Sequence, residues 1–180
     1  MKKLLLLTIL PFIVSCQNSN YKYSEDDTKQ FLNEITKNAK VSITDITEIE
    51  KKPTDEFGII TKYPLSKKEL VEYHKNEGTL INKDDDISDF TTYTFKNYEL
   101  INEKNEKLIF VDKGRAVYLQ EYALWEYNKI LCQNLGIEIN LNQKFEKLRG
   151  YIDIEFKMPN GMNKEIKIPV NISINDKAPE

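Results

Sequence analysis

The chain of 180 residues holds one imidazole, His74, and two cysteines, Cys16 and Cys132. Any Ser-His-Asp or Cys-His arrangement would have to move its proton through His74. His74 follows Leu70 by four residues and Val71 by three, at the edge of an apolar stripe, where a structural boundary histidine is expected. There is no G-x-S-x-G nucleophile elbow, and Cys132 falls within a segment read below as a helix. One His and two Cys are too few for a zinc site built from several such ligands. Asp84, Asp86 and Ser88 imitate the first three ligand positions of a calcium loop. The position that needs Gly holds Asp89, however, and the bidentate Glu position holds Phe95, so a solvated acidic loop is expected. Carboxylates abound in a chain that is 31% charged, but no pair stands out as a glycosidase would require. Neither a phosphate-cradling glycine loop nor a dinucleotide fingerprint is present. The expectation is a protein with no catalytic residue, no metal and no cofactor.

A formal net charge of −3 argues against a nucleic-acid partner, which needs a basic surface to replace counterions. Apolar residues make up 40% of the chain and aromatics 11%, enough for a packed core without disulfide staples.

The first residues read as an address. Lys2 and Lys3 precede an apolar run from Leu4 to Val14, about half the length needed to span a bilayer as a helix. Such a start fits a secretory signal. Ile13-Val14-Ser15-Cys16 resembles the lipobox of bacterial lipoproteins: a branched apolar residue, a tolerant position, a small residue, then cysteine. The resemblance implies cleavage before Cys16, lipidation of its thiol, and attachment to the membrane through several acyl chains. It covers these sixteen residues and implies nothing about the rest of the chain. Gln17 follows where inner-membrane lipoproteins of enterobacteria commonly carry Asp, so the resemblance points to the outer membrane. On this reading residues 1–15 are a signal peptide, 16–23 the lipidated cysteine and tether, and 24–180 one domain. Loss of Lys2 and Lys3 leaves 24 basic against 29 acidic residues, a mature net charge of −5.

The domain reads as α+β, an antiparallel sheet packed on a long helix. Ser24 with Glu25-Asp26-Asp27 predicts a helix over 25–39. Residues 41–45 and 57–63 are candidate strands. Ser66-Lys67-Lys68-Glu69 is a capping box, Leu65 and Leu70 form a hydrophobic staple, and the helix should run to Asn76 with Gly78 left-handed beyond it. Residues 90–96 and 107–111 read as strands, with a polar turn at Asn102–Glu106. At the C-terminus Ile152, Ile154 and Phe156 alternate with charges, as do Ile166, Ile168, Val170 and Ile172. Between them Pro159-Asn160-Gly161 predicts a three-residue hairpin loop, which sets Ile154 opposite Ile166 and Ile152 opposite Ile168.

The long helix is expected from Lys113 to Leu135, closed by Gly136. At 100° per residue Leu119, Ala116, Ala123, Ile130, Tyr127 and Leu131 cover one face. Tyr118, Tyr122, Trp125 and Cys132 gather on the other, around Lys129. That second face is either buried or an aromatic contact surface, since Tyr and Trp dominate binding hot spots. Cys132 is expected to be a small buried apolar residue. Together these features lead to a lipid-anchored, non-catalytic envelope protein that binds another protein, as an inhibitor or immunity protein or as an accessory of an envelope assembly. Two alternatives stand beside it: a small-molecule or lipid binder with a pocket between the long helix and the sheet, lined by Tyr118, Tyr122 and Trp125, and an envelope hydrolase.

Overall fold

The structure, a computed structural model, describes residues 21–43, 53–80, 86–111 and 118–174. Cys16, the lipobox, Asp45 and Asp84 lie outside them.

Helix α1 (Glu25–Asn38) begins where its chemistry dictates. Ser24 Oγ accepts from the Asp27 amide at 3.1 Å, and Asp27 Oδ2 accepts in return from the Ser24 amide at 3.2 Å. Two otherwise orphaned donors of the first turn are satisfied reciprocally. Strand β1 (Lys40–Ser42) and strand β2 (Thr54–Pro64) follow, then helix α2 (Lys67–Lys75), whose Ser66–Glu69 box is formed as expected. Beyond α2 both Glu77 and Gly78 are left-handed, with φ of 53° and 89°. The Gly78 amide returns to the Tyr73 carbonyl at 2.9 Å, so the helix ends in a Schellman motif whose first left-handed residue is a glutamate. The expected acidic loop contains a 3-10 turn (Ile87–Phe90) capped by Asp86.

Six further strands complete the domain: β3 (Thr92–Asn102), β4 (Lys107–Leu108), β5 (Gln120–Tyr127), β6 (Ile130–Phe145), β7 (Lys147–Lys157) and β8 (Asn163–Ser173). They form two antiparallel four-stranded sheets, β1-β2-β6-β5 and β4-β3-β7-β8. The domain is therefore α+β, with two helices and a C-terminal hairpin. The long helix over 113–135 is not formed: residues 120–127 and 130–135 belong to strands β5 and β6.

Period 2 governs the core. Leu131, Gln133, Leu135, Ile137, Ile139 and Leu141 form one buried row along β6, and Phe57 and Ile59 of β2 sit opposite Ile139 and Ile137. In the second sheet Ile152, Ile154 and Phe156 of β7 oppose Ile168, Ile166 and Lys164 of β8. The register predicted for this hairpin is the one observed: the Met158 amide bonds the Met162 carbonyl at 2.9 Å, and Gly161 has φ of 85°. A bulge at Lys96 switches the parity of β3, so Tyr93 and Phe95 face the core side before it and Tyr98 and Leu100 after it.

Residues 107–111 join the sheets. Leu108 pairs with Leu100 of β3, while Phe110 bridges Leu141 of β6. On the opposite side β1 lies against β8, and α1 packs on β2 and β8. Phe31, Leu32 and Ile35 deliver the apolar stripe of α1 into the common core, each contributing about 1.5–3 kcal/mol on full burial. Asn33 accepts from Lys164 Nζ at 2.6 Å and Thr28 accepts from Asn160 at 3.2 Å, tying α1 to the C-terminal hairpin.

Candidate protein-contact surface

The segment read as a long helix is the hairpin β5–β6, and its geometry starts at the turn. Asn128 and Lys129 have φ of 51° and 63°. Two consecutive left-handed residues make a type I′ turn, whose twist matches that of the flanking strands. Tyr127 and Ile130 close the loop, and Trp125 pairs with Cys132 two residues further on. Because Leu131, Gln133 and Leu135 face the core, the alternate row containing Cys132, Asn134 and Gly136 lies on the outer face.

A bulge between Glu121 and Ala123 makes Tyr122 the extra residue of β5. Tyr122 and Trp125 are three apart and in a regular strand would point to opposite faces. The bulge brings them to the same one. A Cβ on Gly136 would run into the Tyr122 ring and stand 3.0 Å from the Ile59 carbonyl, so the ring lies over the glycine on the outer face. Trp125 donates from Nε1 to Asn134 Oδ1 at 2.9 Å, and the Lys62 ammonium sits 5.5 Å from the centre of its ring. The indole is thus held in place by a hydrogen bond and a cation–π contact. It remains 36% exposed, with Tyr122 at 39% and Tyr118 at 50%. Ile130 is exposed beside them. Tyr118 precedes β5 and bridges Thr92 of β3.

Of the three residues singled out from the sequence, the structure brings Tyr122 and Trp125 together and leaves Tyr118 at the base of the strand. A pocket between helix and sheet lined by the three is overturned, since its helical wall is itself the strand pair that carries them. Cys132 is half-buried on β6 beneath the Trp125 side, not deep in a helix. His74 has a largely exposed ring and meets Glu126 Oε2 at 2.7 Å, joining α2 to β5. Asp86 and Ser88 are buried by the 3-10 turn: Asp86 Oδ1 accepts from Tyr63 at 3.1 Å and from the Ser88 amide at 3.4 Å. The Ser88 bond belongs to the cap of the 3-10 turn, and the Tyr63 bond ties that turn to β2. Among the described residues no group of His, Cys, Asp and Glu is arranged to hold a metal ion.

The structure also forms a groove of about 420 Å³ between α1 and the β2–α2 corner, walled by Tyr23, Phe31, Tyr63 and Leu65. Asp27, Glu34 and Glu69 line it as well. Burial, with the negative charge of Asp86 close by, pushes the Tyr63 hydroxyl far above its ordinary value and that of Tyr23 to about 12. No pattern in the sequence marks this groove, because its walls come from elements distant in the chain. Two of its carboxylates, Asp27 and Glu69, are the closing members of the two capping boxes, and that role accounts for their position.

The aromatic pair on the outer face of β5–β6 is the feature best suited to recognition. Large, rigid, partly polar rings supply contact area at low entropic cost, and Trp125 is fixed by its bond to Asn134 and the Lys62 contact. Compared with protein-family models, curated proteins and solved structures, the chain matches none.

Proposed function

We propose that the protein is a non-catalytic lipoprotein of the cell envelope, anchored at Cys16, that binds another protein through the outer face of the β5–β6 hairpin. The observation that carries the binding half is the placement of Tyr122 and Trp125, ordered by neighbouring side chains yet exposed on one sheet face. The anchor rests on the lipobox resemblance of Ile13-Val14-Ser15-Cys16. The mature charge of −5 suits a basic partner, whose approach it would accelerate. Neutralisation of an envelope-acting toxin or enzyme and service in an envelope assembly are the two roles that fit.

The anchor is tested by feeding cells labelled fatty acid. The wild type should take up label and Cys16→Ala should not; label on the variant would contradict the anchor. The binding surface is tested by crosslinking in native membranes, followed by affinity capture. A stoichiometric partner should be captured by the wild type and lost with Trp125→Ala at unchanged protein abundance. Capture that is equal for both would remove this surface from consideration.

A further inference from the structure

No residue of helix α2 is fully buried, and its residues divide by face. Glu69, Leu70, Glu72 and Tyr73 are half-buried, whereas Lys67, Lys68, Val71, His74 and Lys75 are exposed. The exposed residues share one side of the helix, because the four basic ones stand three or four positions from Val71 in either direction. Val71, 68% exposed, is therefore an apolar centre ringed by basic side chains. His74 is engaged with Glu126 of β5, which ties down the last turn of the helix. Among the described residues no carboxylate forms an ion pair with Lys67, Lys68 or Lys75. Helix stability does not account for Lys67 and Lys68 either, since they stand in the first turn, where the helix dipole favours anions.

We infer that this face of α2 lies against an anionic lipid surface, that of the membrane in which Cys16 is anchored. The inference rests on the lipobox reading and adds to it the face that the domain turns to the bilayer. The tether selects the occupant. Tyr21 is held by Thr28 at 2.6 Å and by the ring of Phe90 at 5.3 Å. Five residue steps separate Tyr21 from Cys16, and they span at most about 18 Å. Two residues on, Tyr23 walls the groove together with Leu65, Ser66 and Glu69, at the start of α2. The anchor therefore joins the domain beside this helix and keeps the bilayer within its reach.

Charge then sets the orientation. The mature chain carries a net −5, so a basic face on an acidic body is the part that anionic lipid attracts. Val71 meets the interface at the centre while the lysine stems lie along it with their ammonium groups at the headgroups. One apolar residue and three lysines are too few to hold a free protein on a membrane, but they suffice to orient one that is already tethered. The contact is compatible with partner binding. Glu126, which His74 meets, and Trp125 are consecutive on β5 and point to opposite faces, so α2 and the aromatic pair lie on opposite sides of the hairpin.

The test reconstitutes the full lipidated chain into vesicles of phosphatidylcholine, alone or mixed with phosphatidylglycerol. An environment-sensitive dye is attached through Val71→Cys in a Cys132→Ser background. Its emission should shift to the blue in the phosphatidylglycerol vesicles and not in the neutral ones, and high salt should reverse the shift. A dye attached through Asn171→Cys, at the far end of β8, should report water in both. Lys67→Glu, Lys68→Glu and Lys75→Glu together should abolish the shift at position 71, whereas arginine at the same three positions should keep it. Circular dichroism checks that both triple variants are folded. A lipidated chain whose dye at position 71 is blind to phosphatidylglycerol would overturn the inference and leave the anchor standing, and a shift that survives the charge reversal would overturn it too. A Cys16 that carries no lipid would remove the tether, and the inference would fall together with the anchor.

Discussion

The two long hairpins of this domain, β5–β6 and β7–β8, are built from the same secondary structure and put to opposite uses. In β7–β8 the strands pair without a break from Lys147↔Ser173 to Lys157↔Asn163, and one face is filled with Ile, Val and Phe that the core covers. Its loop places a glycine at the left-handed position. In β5–β6 the register breaks at a bulge, a lysine and an asparagine occupy the left-handed positions, and Tyr122 and Trp125 remain on the surface. Of these departures the left-handed lysine is the one with a conformational cost, since Asn suits a type I′ turn. The contrast separates a hairpin whose two strands are in continuous register from one whose outer strand is bulged and carries exposed aromatic rings.

Substitutions at glycines sharpen that contrast, because each probes what the neighbouring hairpin demands. The largest effect is expected at Gly150 on β7. Its φ is 140°, and an added Cβ would collide with the Glu99 carbonyl of β3, a backbone atom that cannot step aside. Gly150→Ala should lower unfolding free energy by about 3 kcal/mol or more, read from urea titration. Gly136→Ala in β6 displaces the Tyr122 ring and should cost about 1–3 kcal/mol. Because part of that cost is a clash with a movable side chain, it should shrink in a Tyr122→Ala background, and a double-mutant cycle measures the coupling. An additive result would contradict the placement of the ring.

Gly161→Val in the β7–β8 loop forces a β-branched residue to positive φ, where no other atom crowds it, and should cost about 1 kcal/mol. The smallest effect has the opposite sign. Lys129→Gly gives the β5–β6 turn an Asn-Gly sequence suited to two left-handed residues, and should raise the denaturation midpoint by an amount equivalent to about 0.5 kcal/mol. If Lys129→Gly destabilised the protein, the type I′ turn would be in doubt.

The same contrast explains what the sequence disclosed. The C-terminal hairpin was readable to the residue, because two alternating rows and the Pro159-Asn160-Gly161 loop required one register. The Ser66–Glu69 capping box is readable too, since the spacing of Ser and carboxylate is itself the mechanism, whereas at Ser24 the sequence shows an N-cap and an acidic first turn and the structure adds the reciprocal bond from Asp27. The β5–β6 hairpin resembles a helix in sequence for a physical reason. Its turn carries no glycine, and its apolar residues are dense enough to fit a 100° period as well as an alternating one. Gly136 reads as a helix terminator, although the row Leu131, Gln133, Leu135, Ile137, Ile139, Leu141 runs past it with a period of two and is apolar at all but one position. That row was the available signal. The candidate residues Tyr122 and Trp125 stand out by their chemistry, but what places them on one face is a bulge, which leaves no mark in the sequence. The groove beside α1 was invisible for another reason, since only folding brings Tyr23, Tyr63 and Leu65 together.

The claim that β5–β6 is the presenting hairpin can be tested most directly with a photo-crosslinking amino acid placed in living cells at Trp125 or at Tyr151. Tyr151 lies on β7 with the Lys167 ammonium 3.6 Å from its ring centre, and it serves as the matched aromatic position on the other hairpin. The account predicts a discrete protein adduct from position 125 and none from position 151. Adducts from 151 alone, or from neither, would contradict it.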